Sequence, residues 1–219
     1  MKELKIKVCG MRISENIDHV CLAGPDYLGF IFYSRSTRFV GEHPDPAIFS
    51  RVPPHIRKVG VFVNEEKESL LYLCRKYDLF AAQLHGNESP DYCRYIKENG
   101  FTVIKAVAMD EMFDFSSIDK YGPVVDYFLF DTRGKLPGGN GQKFSWPVLM
   151  HYKMNIPFFL SGGIGPADTE ALKALDHPQF FALDINSGFE IEPALKDALS
   201  VAGFIHEIKN FNRRDHEKL

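Results

Sequence analysis

The chain is poor in the residues that would tie it to a metal, a disulfide framework or a membrane. Its 219 residues include four cysteines. Cys9, Cys21, Cys74 and Cys93 are too sparse for a disulfide-stapled domain, and none form the close pairs of a zinc ribbon. The eight histidines are scattered, with no His-Glu-x-x-His. No apolar run approaches the roughly 20 residues that span a bilayer, and Met1-Lys2-Glu3 leads into an alternating segment without a signal-peptide core. Neither sign of charge dominates: 26 Lys plus Arg against 29 Asp plus Glu leave −3 at pH 7. That balance argues against a surface built for nucleic acid. Together these absences describe a cytoplasmic protein with no metal, no membrane contact and no nucleic-acid partner.

What the chain does contain is apolar residues enough, at 45%, for the core of a single domain. Eight short apolar runs bounded by turn residues read as strands: Leu4 to Cys9, Tyr27 to Phe32, Lys58 to Val63, Phe80 to Leu84, Thr102 to Val107, Tyr127 to Asp131, Pro157 to Ser161 and Phe180 to Ile185. Most of the gaps hold an amphipathic stretch, such as Glu66 to Tyr77, Pro90 to Asn99, Ala167 to Leu175 or Pro193 to Lys209. Such alternation implies parallel strands with helical crossovers, and eight units in a chain of this length fit an α/β fold of one (β/α)8 TIM barrel. An open doubly wound sheet is the alternative. It lacks its usual support, because the turn after the first strand reads Cys9-Gly10-Met11-Arg12-Ile13-Ser14 instead of G-x-G-x-x-G. The period is unbroken, so the barrel is expected over residues 1–209, followed by a fraying polar tail over 210–219.

In a barrel the chemistry sits at the C-terminal strand ends. Alternation along the first strand turns Leu4, Ile6 and Val8 one way and Lys5, Lys7 and Cys9 the other. If the apolar face meets the helices, Cys9 lies at the catalytic rim above an ammonium that would favour its thiolate, a base or nucleophile; the alternative is a small core residue. The sixth strand ends on Asp131, which is either a general acid or base, or a cap for the turn through Thr132 and Arg133. Glycine-rich turns follow strands six, seven and eight: Gly138-Gly139-Asn140-Gly141, Ser161-Gly162-Gly163-Ile164-Gly165 and Asn186-Ser187-Gly188. Glycine lets backbone N–H groups approach an anion, and barrel phosphate sites form after strands seven and eight. Arg35 and Arg38 after strand two could grip a carboxylate or phosphate, or be solvated surface. Gln83 and His85 share a face at the end of strand four, where His85 could enter the cavity or be a structural histidine.

In order along the chain, Lys7-Val8-Cys9-Gly10-Met11-Arg12, Gly29-Phe30-Ile31-Phe32 with Ser36-Thr37-Arg38, Gly60-Val61-Phe62-Val63-Asn64, Gln83-Leu84-His85-Gly86, Phe130-Asp131-Thr132, Gly138-Gly139-Asn140-Gly141, Ser161-Gly162-Gly163-Ile164 and Asp184-Ile185-Asn186-Ser187-Gly188 resemble the phosphoribosylanthranilate isomerase family. The resemblance runs from about residue 5 to about residue 200. It implies a barrel enzyme of tryptophan biosynthesis that converts N-(5-phosphoribosyl)anthranilate to 1-(2-carboxyphenylamino)-1-deoxyribulose 5-phosphate by an Amadori rearrangement, without a cofactor. Its partners would be the phosphosugar substrate and other enzymes of the pathway. By motif, Cys9 is implied as general base, Asp131 as general acid and Arg38 as partner of the anthranilate carboxylate. The phosphate would be held by Gly139, Asn140 and Gly141, by Gly162 and Gly163, and by Ser187 and Gly188. Asp184, inward on strand eight, orients substrate hydroxyls or balances Lys7. The family often has Pro-Gly before Lys-Asp where this chain has Pro193-Ala194-Leu195-Lys196-Asp197, which bears on the start of the last helix.

Two other phosphosugar barrels compete. An indole-glycerol-phosphate synthase would carry a catalytic lysine on its early strands and an extra N-terminal segment. A ribulose-phosphate epimerase would carry metal-binding histidines and aspartates at its strand ends, a role that only His85 fits. A non-catalytic phosphosugar-binding barrel is the third alternative, and the presence of both Cys9 and Asp131 argues against it.

Overall fold

The computed structural model describes residues 3–132 and 144–214, with side chains through Asn210. Eight parallel strands close into a barrel in chain order. They are β1 (Lys5–Val8), β2 (Tyr27–Ile31), β3 (Arg57–Phe62), β4 (Ala81–Leu84), β5 (Thr102–Met109), β6 (Tyr127–Thr132), β7 (Phe158–Leu160) and β8 (Phe180–Ile185). Each apolar run of the sequence became one strand, with ends displaced by a residue or two. Closure is made by β1 against β8, with Lys7 opposite Asp184 and Val8 opposite Ile185.

The strand faces sort as the alternation requires. Ile6, Val8, Phe30, Phe62, Phe128, Phe130 and Leu183 point outward into the layer between strands and helices, where Ile17, Leu70, Ile96 and Phe204 meet them. Inside, Tyr27, Val59, Ala81, Ile104, Leu129, Phe159 and Ala182 form an apolar floor near the strand starts. Cys9, Ile31 and Val61 lie in a separate small cluster with Tyr33. The barrel is therefore filled below and chemically equipped above.

The outer helices are α1 (Ser14–Leu22), α2 (Ala47–Ser50), α3 (Lys67–Lys76), α4 (Pro90–Glu98), α5 (Thr169–Lys173) and α6 (Ala198–Arg214). Ser89 caps α4 through the Tyr92 N–H, with Pro90 supplying the preset first turn. After β5 and after β6, 3₁₀ segments over Phe115–Val124 and Trp146–His151 run on the outside in place of α-helices. Pro123 lies within the first of these and Pro147 near the start of the second, and a proline ring cannot donate to a helical ladder.

The final crossover departs from expectation. Residues from Pro193 do not begin the last helix. Instead β9 (Glu190–Glu192) and β10 (Leu195–Lys196) form a small antiparallel hairpin that turns at Pro193-Ala194, with Ala194 at φ +70 where glycine is at ease. The helix starts at Ala198 because Asp197 caps it, accepting from the N–H groups of Leu199 and Ser200. It continues to Arg214, past the point at 209 where the sequence turns polar. The hairpin is anchored to α1 by Asn16, whose side-chain amide accepts from Lys196 N–H at 2.8 Å and donates to Lys196 C=O at 2.8 Å.

Because Asn16 satisfies both backbone groups of a buried residue, Asn16→Ala should cost about 2–4 kcal/mol of stability. Urea unfolding checks this. A loss within experimental scatter of zero would mean that the hairpin stands without its tie.

Candidate active site

The centre of the barrel mouth is built on a buried ion pair. Lys7 and Asp184 project inward from the adjacent strands β1 and β8, and Lys7 Nζ donates to Asp184 Oδ1 at 2.8 Å. Burial opposes the Lys7 charge, yet Asp184 and the neighbouring Cys9 hold its pKa above the ordinary lysine value. Burial likewise pushes the Asp184 carboxyl up, against the pull of Lys7. Cys9 follows two residues along the same face, only 4% exposed. Gly29 on β2 makes room for it, since a Cβ there would lie 2.7 Å from Cys9 Sγ and 3.1 Å from Lys7 Cε.

Lys7 favours the Cys9 thiolate, as alternation suggests, but it does not act alone. Burial pushes the Cys9 thiol above its ordinary value; Lys7 lowers it, but Asp184 neutralises much of that help and raises it again. The ammonium that alternation places beside Cys9 belongs chiefly to a carboxylate 177 positions away. Burial thus favours the thiol form of Cys9, against the pull of Lys7.

Asp131 stands at the end of β6, its Oδ1 accepting from the Thr132 N–H at 3.0 Å and its Oδ2 lying 3.3 Å from His85 Nε2. It therefore caps the turn with one oxygen while presenting the other to the cavity. His85 Nδ1 lies 2.9 Å from Gln83 Nε2. Gly162, at φ +94, brings the loop after β7 so close that a Cβ would collide with Thr132 and come within 2.9 Å of Asp131 Oδ1. Cys9, Gln83, His85, Asp131, Asp184 and Gly162 all line one cavity.

Two further walls complete that cavity. One is apolar, formed by Ile31, Tyr33, Val61 and Val63; the other is the loop pair Ser161-Gly162-Gly163-Ile164 and Asn186-Ser187. Gly163 adopts φ +68. Gly188 packs against the Ile164 carbonyl with no space for a side chain, which holds the two loops together. Gly139, Asn140 and Gly141, together with Arg133 and Lys143, lie outside the described residues.

Arg38 lies at the rim, directed by a network the sequence did not reveal. Its Nε donates to Glu190 Oε1 at 2.8 Å and its Nη2 to Glu190 Oε2 at 2.6 Å. Lys196, fully buried on the hairpin, donates to Glu190 Oε1 at 2.5 Å and to Asn186 Oδ1 at 2.7 Å. Gly10, at φ +79, permits this crossing, for a Cβ there would come within 2.7 Å of Arg38 Cδ. Two cations share one carboxylate, so the cluster keeps a net positive charge, and among the described residues Arg38 Nη1 has no bonding partner. The only sequence signal for Glu190 was its place just beyond Ser187-Gly188.

A family model described as N-(5'phosphoribosyl)anthranilate (PRA) isomerase matches residues 6–207. The chain is 46% identical over 206 residues to the N-(5'-phosphoribosyl)anthranilate isomerase of Parabacteroides distasonis, covering 93% of this chain and 92% of that one. It is 37% identical to the protein of the same name from Thermotoga neapolitana, with 94% and 98% covered. Among solved structures, phosphoribosyl anthranilate isomerase from Thermotoga maritima aligns with a TM-score of 0.82 at 34% identity, covering 94% and 99% of the two chains. A phosphoribosyl anthranilate isomerase in complex with reduced 1-(o-carboxyphenylamino)-1-deoxyribulose 5-phosphate aligns with a TM-score of 0.79 at 32% identity and the same coverage.

The rim network carries a pH signature. Burial works against the Glu190 charge, but Arg38 and Lys196 outweigh it and hold the carboxyl below its ordinary value. A depressed carboxyl contributes stability that is present above the unfolded pKa, about 4.3, and is lost as pH falls through the lower folded value. Glu190→Gln should therefore lose stability at pH 7 and show a flatter decline below about pH 4.3 than the parent protein. Thermal melts across that range check it, and parallel acid limbs in the two proteins would contradict it.

Proposed function

The chain belongs to the N-(5'-phosphoribosyl)anthranilate isomerase family, and we propose that it performs the family's Amadori rearrangement with Asp131 as general acid and Cys9 as general base. It is an isomerase of tryptophan biosynthesis. Among the described residues no helix is long and apolar enough to cross a membrane; our reading sets the reaction in the cytoplasm, beside other enzymes of the pathway.

The observation that carries this reading is that a carboxyl and a thiol from non-neighbouring strands line one cavity. The substrate's aminated furanose must open before it can rearrange. Asp131, protonated, gives its proton to the ring oxygen while the anilino nitrogen lone pair expels that oxygen from C1′, leaving an iminium. Cys9, once its thiol has released its own proton to solvent, takes the C2′ proton as thiolate, and the C–H electrons form the C1′–C2′ double bond as the iminium is neutralised. The enolamine tautomerises to the ketone, so substrate and product have identical composition. Asp184 is suited to orient sugar hydroxyls while balancing Lys7. No step calls for a cofactor.

The flanking walls support the same orientation of the substrate. Ile31, Val61 and Tyr33 offer an apolar surface for the anthranilate ring, and Arg38 Nη1, with Glu190 and Lys196 beneath it, suits the ring carboxylate. On the other side, backbone N–H groups of Gly162-Gly163 and Ser187-Gly188 suit the phosphate.

Assays by loss of substrate fluorescence test the roles. Cys9→Ala should remove most of kcat while a product analogue still binds with near-parental affinity. Asp131→Asn retains a hydrogen-bonding group but no transferable proton at neutral pH, so kcat should fall about 100-fold or more with little change in KM. Near-parental kcat in either variant overturns that assignment. Arg38→Met should weaken product-analogue binding by about 1.5–3 kcal/mol, and only for analogues that carry the ring carboxylate. Equal losses with and without the carboxylate would make Arg38 a structural residue of the rim.

A further inference from the structure

The reaction leaves the acid without its proton, and the geometry around Asp131 supplies a means to restore it. His85 Nε2 stands 3.3 Å from Asp131 Oδ2, the oxygen that is not committed to the Thr132 N–H. On the other side of the imidazole, Gln83 is 1% exposed, and its Nε2 meets His85 Nδ1 at 2.9 Å. Gln83 Oε1 is buried without a hydrogen-bond partner among the described residues. A buried orphan acceptor costs free energy, so its presence beside a titratable ring calls for an account.

The two orientations of the Gln83 amide correspond to two proton counts on the His85–Asp131 pair. With Gln83 Nε2 donating to Nδ1, that nitrogen is an acceptor. The imidazole then carries its proton on Nε2 and donates to an Asp131 carboxylate that has nothing to give. A half-turn of the amide brings Oε1 onto Nδ1, which must then be protonated, and the orphan acceptor gains its partner. In that state one further proton is shared between His85 Nε2 and Asp131 Oδ2. Either it sits on Nε2 beside a carboxylate, or it sits on Oδ2 and points at the Nε2 lone pair. The second form is the acid that ring opening requires.

We propose that His85, steered by Gln83, is the positioning residue that recharges Asp131 with a proton after each turnover. The inference rests on Asp131 being the general acid. When Asp131 Oδ2–H has given its proton to the ring oxygen, His85 is left neutral with its remaining proton on Nδ1. Its Nε2 then takes a proton from solvent, which reaches the imidazole because the His85 side chain is 18% exposed at the cavity, and passes it to Oδ2. No group is oxidised or reduced, and the proton released from C2′ leaves by way of Cys9.

Other charges face this pair. Asp184 on β8 carries negative charge that favours the shared proton, and it is itself raised in part by Asp131. Lys7 on β1 stands behind Asp184 and opposes it. Lys105 on β5 lines the adjoining cavity with His85 and Asp131, but it is held 3.0 Å from Glu88 and so contributes little net charge. Cys9 lines the same cavity, and burial favours its uncharged thiol form.

The test is the pH dependence of kcat at saturating substrate for His85→Gln. Glutamine keeps a polar side chain of similar reach but cannot carry a proton between water and Asp131. We expect kcat to fall about 10- to 100-fold at neutral pH with KM within about twofold, and the alkaline limb of the profile to move down by about one pH unit or more. Gln83→Leu, which leaves His85 in place with a free Nδ1, should move the same limb in the same direction by a smaller amount. A folded His85→Gln variant whose alkaline limb coincides with that of the parent, or whose defect lies in KM alone, overturns the proposal. Should His85→Gln not fold, an unmoved limb in Gln83→Leu overturns it equally. Asp131→Asn separates the two levels: if that variant keeps parental kcat, the acid assignment falls and this inference with it, whereas an inactive Asp131→Asn beside an unshifted His85→Gln removes only the relay.

Discussion

The ion pair between Lys7 and Asp184 is the constraint on which the site depends. It sits at the closing seam of the barrel, where β1 meets β8 and the two residues occupy paired positions in the register. A charge taken from water is tolerated only when it is matched and hydrogen-bonded, so neither residue can be removed alone without stranding the other. The pair also divides the interior. Below it the barrel is filled with Tyr27, Ile104, Leu129 and Phe159; above it Cys9, His85 and Asp131 line the cavity. Cys9 and the loop that begins at Asn186 are the next residues on the same two strands, so their placement follows from the seam.

A second principle is that the charged side chains of the mouth are held in matched groups. Arg38 and Lys196 share Glu190 at one rim. On another side the loops after β7 and β8 come together through Gly162 and Gly188, where a side chain would have no room. Between them the cavity is lined by the Cys9 thiol, the His85 imidazole and the carboxyls of Asp131 and Asp184, the last already matched by Lys7.

The sequence made the architecture legible because strand and helix leave different periods. The run from Tyr127 to Asp131 could be recognised as a strand with a carboxylate at its tip, and alternation along Leu4 to Cys9 correctly turned Lys7 and Cys9 inward. What local pattern could not convey was pairing across the chain. Lys7 meets Asp184, and Arg38 meets Glu190, 152 positions away; both alter the charge that a neighbour feels. That is why Lys7 read as an activator of Cys9 when most of its field is answered elsewhere. The hairpin over Glu190 to Lys196 was hidden for another reason: Pro193-Ala194 reads equally well as the first turn of a helix, and only the capping Asp197 marks the true start.

The burial of Cys9 has a consequence for the chemical durability of the protein. Peroxides, disulfides and electrophiles attack thiolates far faster than thiols, and they attack exposed sulfur faster than buried sulfur. A base that existed permanently as an accessible thiolate would be the first atom in the molecule to be converted to a sulfenic acid or a mixed disulfide. Here the sulfur is 4% exposed, shielded by the strand ends around it, and burial favours its thiol form. Burial thereby slows oxidants in two ways, by hiding the atom and by disfavouring its reactive form.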